Sequence, residues 1–264
     1  MELELADKHV LITGGSKGIG LACAQGFIDE GARVTIVARD ADVLDKARGA
    51  LVSRRATAVA RAESADLRDA MAAAEAVARA EIALGPVDIL VNSAGSARRA
   101  LPAELTPQHW RDAMDAKFFT YVNITDPLIK RMAERGFGNV LNIVGMGGKV
   151  AGVTHLAGGA ANAALMLMTA GLAAAYGPKG IRVNAVNPTI TLTDRMDEGL
   201  ATEARRKQVS KEKMLAQTSA KMPLGRIASP EEVANAVIFL CSPRASYISG
   251  AILSIDGALT PMVV

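Results

Sequence analysis

Four glycines within eight residues form the first segment of this chain that could bind a ligand. Residues 13–20 read Thr-Gly-Gly-Ser-Lys-Gly-Ile-Gly and join an apolar strand pattern to a helical one. Glycine has no Cβ to keep a pyrophosphate away from the backbone, and the helix that follows offers free N–H groups and the positive end of its dipole. A glycine-rich turn without a ligand is the alternative. The strand before the loop and the helix after it favour a dinucleotide site.

The charges around this loop indicate which dinucleotide would bind. In such sites an acidic residue at the end of the second strand binds the ribose 2′-hydroxyl, whereas a cation there binds a 2′-phosphate. Arg39 occupies that place, and Lys17 adds a positive charge from within the loop. A guanidinium donates two parallel hydrogen bonds to a phosphate, and an ammonium supplies a compact charge. We therefore predict NADP(H) rather than NAD(H). Because Asp40 and Asp42 lie nearby, the alternative is that Arg39 and Lys17 are ordinary solvated cations.

The elements that must position this loop follow a regular rhythm. Short β-branched segments alternate with longer alanine-rich helical ones along residues 1–264, which predicts a single-domain, Rossmann-like, doubly wound parallel sheet with helices on both faces. The predicted strands are residues 9–13, 33–38, 57–61, 87–92, 139–144, 181–186 and 252–255. The clearest helical segments are residues 18–30, 68–84, 107–134, 155–176 and 230–240.

One region departs from this rhythm. Residues 191–222 are strongly charged, and we expect one or two exposed helices there. An insertion beyond the carboxyl end of a strand in a doubly wound fold commonly covers the site. Residues 191–222 are therefore predicted to form a substrate lid.

Composition excludes several classes of protein. Of the 264 residues 50% are hydrophobic, and a net charge of +3 with interspersed signs does not indicate a nucleic-acid partner. Cys23 and Cys241 lie far apart and outside any Cys/His cluster, which predicts reduced thiols, a cytoplasmic protein and no metal. Residues 150–178 lack charged side chains, but glycines, His155 and Asn162 interrupt them, so we predict a buried helix rather than a membrane span.

The glycine loop resembles the Thr-Gly-x-x-x-Gly-x-Gly fingerprint of the classical short-chain dehydrogenase/reductase family. Residues 66–67, Asp-Leu, resemble its adenine-contacting Asp-Val pair, and residues 92–95, Asn-Ser-Ala-Gly, resemble its Asn-Asn-Ala-Gly element. Residues 182–184 and 187–188 resemble its sixth strand and the turn that follows. The resemblance covers essentially the whole chain and implies an oxidoreductase that acts on a carbonyl or alcohol substrate.

The resemblance also implies which residues contact the cofactor. Thr193 stands where a family threonine holds the nicotinamide carboxamide. The full implied set is Gly14, Ser16, Lys17, Gly18, Ile19, Gly20, Arg39, Asp66, Leu67, Asn92, Ala94, Gly95, Pro188 and Thr193.

In this family, proton transfer is expected to depend on a Tyr, a Lys four residues after it, a Ser and an Asn. The lysine lowers the pKa of the phenol so that it can protonate the developing alkoxide, and the Ser helps bind the carbonyl oxygen. Here those positions hold Gly158, Asn162, Gly145 and Lys117, respectively. Each of the three tyrosines lacks a lysine four residues on, so we predict that the standard mechanism cannot operate.

Three interpretations remain open. In the first, a substitute acid serves an oxidoreductase; the candidates are Lys117, His155 and Lys149, for which helix capping, packing or solvation is the alternative. In the second, the protein is a catalytically inactive nucleotide-binding regulator or subunit. The third is a non-redox lyase on the same fold. Small or apolar residues on several faces of helix 155–176 and the family's interface there predict a homodimer or homotetramer.

Overall fold

Seven parallel strands form one sheet in this computed structural model, which describes residues 2–262 except the side chains of Arg195 and Glu198. The strand order is β3-β2-β1-β4-β5-β6-β7, which confirms the predicted Rossmann-like architecture. Strands β1, β2, β4, β5 and β6 are buried almost throughout, as expected when helices cover both faces of a parallel sheet. The strands are β1 (His9–Thr13), β2 (Arg33–Ala38), β3 (Val59–Ser64), β4 (Ile89–Asn92), β5 (Gly138–Ile143), β6 (Ile181–Pro188) and β7 (Ile252–Ile255).

Helices connect successive strands, and most begin at a recognisable cap. Asp40 and Asp69 accept hydrogen bonds from backbone N–H groups of the first turns that follow them. Ser229 and Glu232 form a capping box with Pro230 in the first turn of the helix that follows. The α-helices are α1 (Gly18–Asp29), α2 (Ala41–Val52), α3 (Ala70–Leu84), α4 (Pro107–Ala113), α5 (Thr120–Arg135), α6 (Leu156–Tyr176), α7 (Asp194–Lys207), α8 (Lys211–Ala220) and α9 (Pro230–Cys241).

Two predicted elements differ most from the structure. The helix expected over residues 107–134 is divided by a π-helical segment, Met114–Phe119, between α4 and α5. The third strand runs over Val59–Ser64 rather than residues 57–61. It is an edge strand with mixed burial, so its pattern of apolar residues sets its limits only weakly.

Separate hydrophobic layers pack on the two faces of the sheet. Helices α1, α2 and α9 contribute to one layer, which contains Phe27 and Val237. Helices α3 and α5 contribute to the other, which contains Val77 and Leu128. Because the chain winds outward from β1 to β3 and then returns to β4, the carboxyl ends of β1 and β4 border the crevice where such folds bind ligands.

Helix α6 is long and apolar enough to span a bilayer by length and composition. Within residues 156–179 an 18-residue stretch has a mean hydropathy of 1.5, and 44% of that stretch is buried within the fold. The helix packs against β6 and supplies Leu165 and Met166 to a buried cluster with Tyr121. Its apolar character is therefore that of a core helix.

The charged region 191–222 contains two helices, α7 and α8, as predicted. They pack on each other through Leu200, Ala204 and Met214, which form a small cluster apart from the two main layers. An isolated parallel bridge joins Thr191, at the start of this region, to Ala228, shortly after its end.

Candidate active site

The glycine loop between β1 and α1 has a backbone that requires its glycines. Gly14 has φ +64° and its N–H donates to the Val37 carbonyl at 2.8 Å. A Cβ on Gly20 would lie 2.3 Å from the Gly14 carbonyl oxygen, so only glycine lets the first turn of α1 approach the loop so closely. Gly18 has φ +57° and faces the Thr193 methyl group, 3.4 Å from an ideal Cβ. The loop, the amino end of α1 and Thr193 thus form a backbone-lined cradle that fits a dinucleotide pyrophosphate.

A buried polar network holds the crevice together beneath this loop. The Thr13 hydroxyl accepts hydrogen bonds from the backbone N–H groups of Ser93 and Ala94, at 3.0 and 3.1 Å. Asn92 is completely buried; its amide nitrogen donates to Thr125 Oγ1 at 2.9 Å and Asn142 Oδ1 at 3.0 Å. The side chain of Asn92 therefore joins β4 to its neighbours and does not line the cavity described below, and its contact with the cofactor stays a prediction.

Two exposed cations lie in the glycine loop and at the end of β2. Lys17 and Arg39 are both exposed, Lys17 in the loop and Arg39 directly after β2. Asp66 accepts a hydrogen bond from Arg68 Nε at 3.0 Å, which holds the pKa of that carboxyl below its usual value, and the charge of Arg39 adds to the effect. Leu67 is buried in the layer on the side of α3, so its side chain contributes to packing.

One cavity of about 660 Å³ collects most of the remaining predicted site residues at the carboxyl ends of β4, β5 and β6. Helices α7 and α8 line its other side through Met196, Leu200 and Met214. A second depression, of about 820 Å³, lies between the ends of α5 and α6 and includes none of the predicted site residues. The predicted residues that line the first cavity are Ile19, Gly95, Lys117, Gly145, His155, Gly158, Asn162, Pro188 and Thr193.

The imidazole of His155 fills the space that a side chain at position 158 would need. His155 is the N-cap residue of α6, and its carbonyl accepts from the Gly159 N–H at 2.7 Å. A Cβ on Gly158 would lie 2.1 Å from Cε1 and 2.6 Å from Nε2 of this ring. On the other side, a Cβ on Gly147 would lie 3.0 Å from its Cδ2. Two glycines therefore make room for one imidazole on the cavity wall.

Asn162 presents its amide beside the predicted serine position. The residue is 5% exposed and lines the cavity. A Cβ on Gly145 would lie 3.3 Å from Asn162 Nδ2, and Gly145 has φ +132°, a conformation that glycine adopts more readily than other residues. The Gly145 N–H donates to Asn187 Oδ1 at 3.2 Å. The Nδ2 group of Asn162 is thus a hydrogen-bond donor next to the point where a serine side chain at residue 145 would start.

Lys117 lies in the π-helical segment and is only 7% exposed. Its ammonium donates to the Tyr121 hydroxyl and to the Ile143 carbonyl, each at 3.1 Å, and lies 4.8 Å from the centre of the Tyr121 ring. Tyr121 donates to the same carbonyl at 2.7 Å. Tyr121 is completely buried and does not line the cavity, so it holds the Lys117 ammonium from within the core.

Lys149 does not share this location. Its ammonium lies 3.4 Å from both the Ile252 carbonyl and Ser254 Oγ on β7, and the residue does not line the cavity. The structure therefore places Lys149 outside the cavity, whereas Lys117 and His155 lie on its wall.

Comparisons with known proteins extend over nearly the whole chain. A family model described as Enoyl-(Acyl carrier protein) reductase matches residues 14–260. Galactitol 2-dehydrogenase (L-tagatose-forming) of Cereibacter sphaeroides is 36% identical over 251 residues, which cover 94% of this chain and 93% of that protein. L-sorbose reductase of Gluconobacter frateurii, solved with NADPH and L-sorbose, has a TM-score of 0.92 and 29% identity, with full coverage of both chains.

A third similar protein has an unusual site of its own. It is an NADPH-bound short-chain oxidoreductase of Pseudomonas aeruginosa PAO1, described as containing an atypical catalytic center. It superposes with a TM-score of 0.88 at 29% identity, and the match covers 98% of this chain and all of that one.

Proposed function

Because the chain belongs to the short-chain dehydrogenase/reductase family of oxidoreductases, we propose that it interconverts a carbonyl and an alcohol with NADP(H), and that His155 replaces the usual tyrosine as proton donor. The observation that carries the proposal is the position of the His155 ring in the space above Gly158. A side chain at residue 158 is the one expected to be the acid, and the imidazole, which starts from the N-cap of α6, fills the space where that side chain would begin.

The cofactor would be held by the glycine cradle, Thr193 and Pro188, with its 2′-phosphate near Arg39 and Lys17. When bound, NADPH supplies the hydride that adds to the carbonyl carbon. NADPH in the solved structures of similar proteins supports this choice of nucleotide. Arg39→Gln is expected to raise the Kd for NADPH about tenfold or more and to leave that for NADH nearly unchanged, because one charge-assisted contact to phosphate is lost. Fluorescence titration measures both constants.

The chain's own residues handle the proton and the negative charge. His155 gives a proton to the oxygen that becomes an alkoxide during reduction, and takes it back from the alcohol in the oxidation direction. Asn162 donates a hydrogen bond to that oxygen, as the missing serine would. The buried ammonium of Lys117 places a positive charge at the end of β5, where it stabilises the same developing anion.

His155→Gln tests the proposal, and His109→Gln is its matched control. His109 also lines the cavity, but its Nδ1 accepts from the Thr106 N–H at the start of α4. Both variants are compared with wild type on the best substrate from a screen of ketoses and keto acids with NADPH. We expect His155→Gln to lower kcat about 10²-fold or more and to remove the fall in reduction rate as pH rises through neutrality. His109→Gln should keep both.

Two outcomes would contradict the proposal. If His155→Gln retains wild-type kcat and pH profile, another group is the acid. If NADPH binds tightly but no substrate in the screen turns over, the regulator interpretation is favoured instead.

We also propose a homo-oligomer and a cytoplasmic location. Helix α6 exposes a face without charges, on which Leu167 is 77% exposed, and a second copy would cover it. The two cysteines, Cys23 and Cys241, are buried free thiols, as expected in a reducing compartment.

A further inference from the structure

Two arginines after β4 line the mouth of the cavity. Arg98 and Arg99 follow the Gly95 turn, where the chain leaves the sheet, and both contribute to the cavity wall. Gly199 on α7 faces Arg99: a Cβ there would lie 3.3 Å from Arg99 Nε. The glycine therefore leaves room for the guanidinium between the β4 loop and the lid helix.

The guanidinium of Arg99 has few partners inside the protein. Its one hydrogen bond to a described side chain is long, 3.4 Å from Nη1 to Thr154 Oγ1, and no described carboxylate lies within 4 Å. Arg99 is exposed at the cavity wall, yet the protein around it removes part of its water and lowers its pKa, while the charge of Glu203 opposes that shift. A guanidinium has five N–H donors, so the described side chains use little of this capacity.

Two carboxylates of the cavity wall, among the side chains that the structure describes, are already engaged. Glu203 accepts hydrogen bonds from the Thr154 hydroxyl at 2.7 Å and from Arg206 Nε at 3.0 Å. Glu104 accepts from the Leu101 N–H at 3.2 Å. Neither acid forms an ion pair with Arg98 or Arg99 among the described side chains, so both guanidiniums keep N–H donors for an anion at the mouth.

We propose that Arg99 binds an anionic group of the substrate, a carboxylate or a phosphate ester, at the end remote from the reacting carbon. A planar guanidinium with free parallel donors matches either group in bidentate geometry. Arg98 adds long-range attraction from the same loop. The inference rests on the proposed oxidoreductase function and makes its substrate a hydroxy acid, keto acid or sugar phosphate rather than a neutral polyol.

The test uses three six-carbon probes that differ at one end: D-glucitol is neutral, D-gluconate carries a carboxylate, and D-glucitol 6-phosphate carries a phosphate ester. Each is titrated calorimetrically into the whole protein saturated with NADP⁺, as wild type, Arg99→Gln and Arg205→Gln. Arg205 is an exposed arginine of α7 that does not line the cavity, so its variant makes the same charge change elsewhere.

We expect wild type and Arg205→Gln to bind at least one anionic probe about tenfold or more tightly than D-glucitol, and Arg99→Gln to lose this difference. The tighter anion identifies carboxylate or phosphate. The proposal is overturned if neither anion binds more tightly than D-glucitol in wild type, or if the preference survives in Arg99→Gln. The preceding titration with NADP⁺ separates the two claims: failure of NADP⁺ to bind contradicts the proposed function, whereas loss of the anion preference alone leaves that function standing.

Discussion

The imidazole of His155 occupies the space that a side chain at residue 158 would fill. The glycines of the site therefore make room for neighbouring side chains. From the sequence, Gly145 and Gly158 look like positions from which chemistry has been removed. In the structure the neighbouring space at each is filled, by the Asn162 amide at Gly145 and by the His155 ring at Gly158. Glycine at these two positions thus leaves room for the Asn162 amide and for the His155 ring.

Gly158→Ala separates the function of this arrangement from its stability. The new Cβ would clash with the end of the His155 side chain, which can rotate away, so we expect the ring to leave its place while the helix stays intact. Alanine also favours a helix over glycine by about 0.5–1 kcal/mol. We expect a Tm at or above wild type together with a kcat lowered about as much as in His155→Gln. Thermal denaturation and steady-state kinetics measure the two effects.

Gly171→Ala is the control on the same helix. No atom lies within 4 Å of the Cβ it would add, so this variant should gain the same helical stability and keep full activity. If Gly158→Ala is as active as Gly171→Ala, the position of the ring has no part in turnover.

At the scale of elements, β1, β2 and β7 have the predicted limits, and the limits of the other strands differ from the predicted ones by one to three residues. Strand β1 has the predicted limits because its apolar residues are all in the core. The π-helical turn at Met114–Phe119 could not be predicted, since Lys117 reaches Ile143 on another element and no local pattern encodes that contact. The position of His155 likewise depends on a tertiary contact between Gly147 and the start of α6, which the local sequence does not encode.

The helices α7 and α8 form the element most separate from the main core. Met214 is buried at 4% exposure in their own cluster, so Met214→Ala should cost about 2–5 kcal/mol of local stability. Because the two layers of the sheet do not include this cluster, local opening and not global unfolding should become easier. We expect faster amide exchange over residues 194–220 with little change in Tm. Hydrogen-exchange mass spectrometry resolves the two regions.

A methionine at the surface provides the comparison. Met71 on α3 is 75% exposed, and Met71→Ala should leave exchange and Tm as in wild type. A drop in Tm of several degrees in Met214→Ala, with faster exchange in the sheet, would show that helices α7 and α8 and the core unfold together.

At the scale of the whole molecule, one buried histidine couples folding to pH. His9 is fully buried; its Nδ1 lies 2.7 Å from the Gly85 carbonyl and its Nε2 lies 2.9 Å from Thr35 Oγ1. Burial lowers its pKa, with the nearby charge of Arg33 acting in the same direction. Below about pH 6.5 the unfolded chain therefore takes up this proton more readily than the native one. The stability that His9 contributes is complete above that pH and is lost as pH falls through its native pKa.

We expect the free energy of unfolding to fall between pH 7 and 5, and to fall less steeply in His9→Gln. The variant should also be less stable at pH 7, because its amide cannot reproduce both hydrogen bonds. Urea denaturation across this range measures the slope, and His109→Gln should retain the wild-type slope. Equal slopes in His9→Gln and wild type would assign the pH dependence to other groups.

The exposed face of α6 determines how the whole molecule meets a second copy. Ala160, Ala163, Ala170 and Leu167 are exposed on it, and no charged side chain interrupts the helix. Small residues let two helices approach closely, and a twofold axis would place this face against itself, so that one substitution acts twice. Leu167→Glu should therefore put two like charges into one apolar contact and lower the molar mass found by light scattering to that of a monomer. Ile82→Glu, which changes an 86% exposed isoleucine on α3, should keep the wild-type mass. An unchanged mass in Leu167→Glu would assign the oligomer, if wild type forms one, to a different surface.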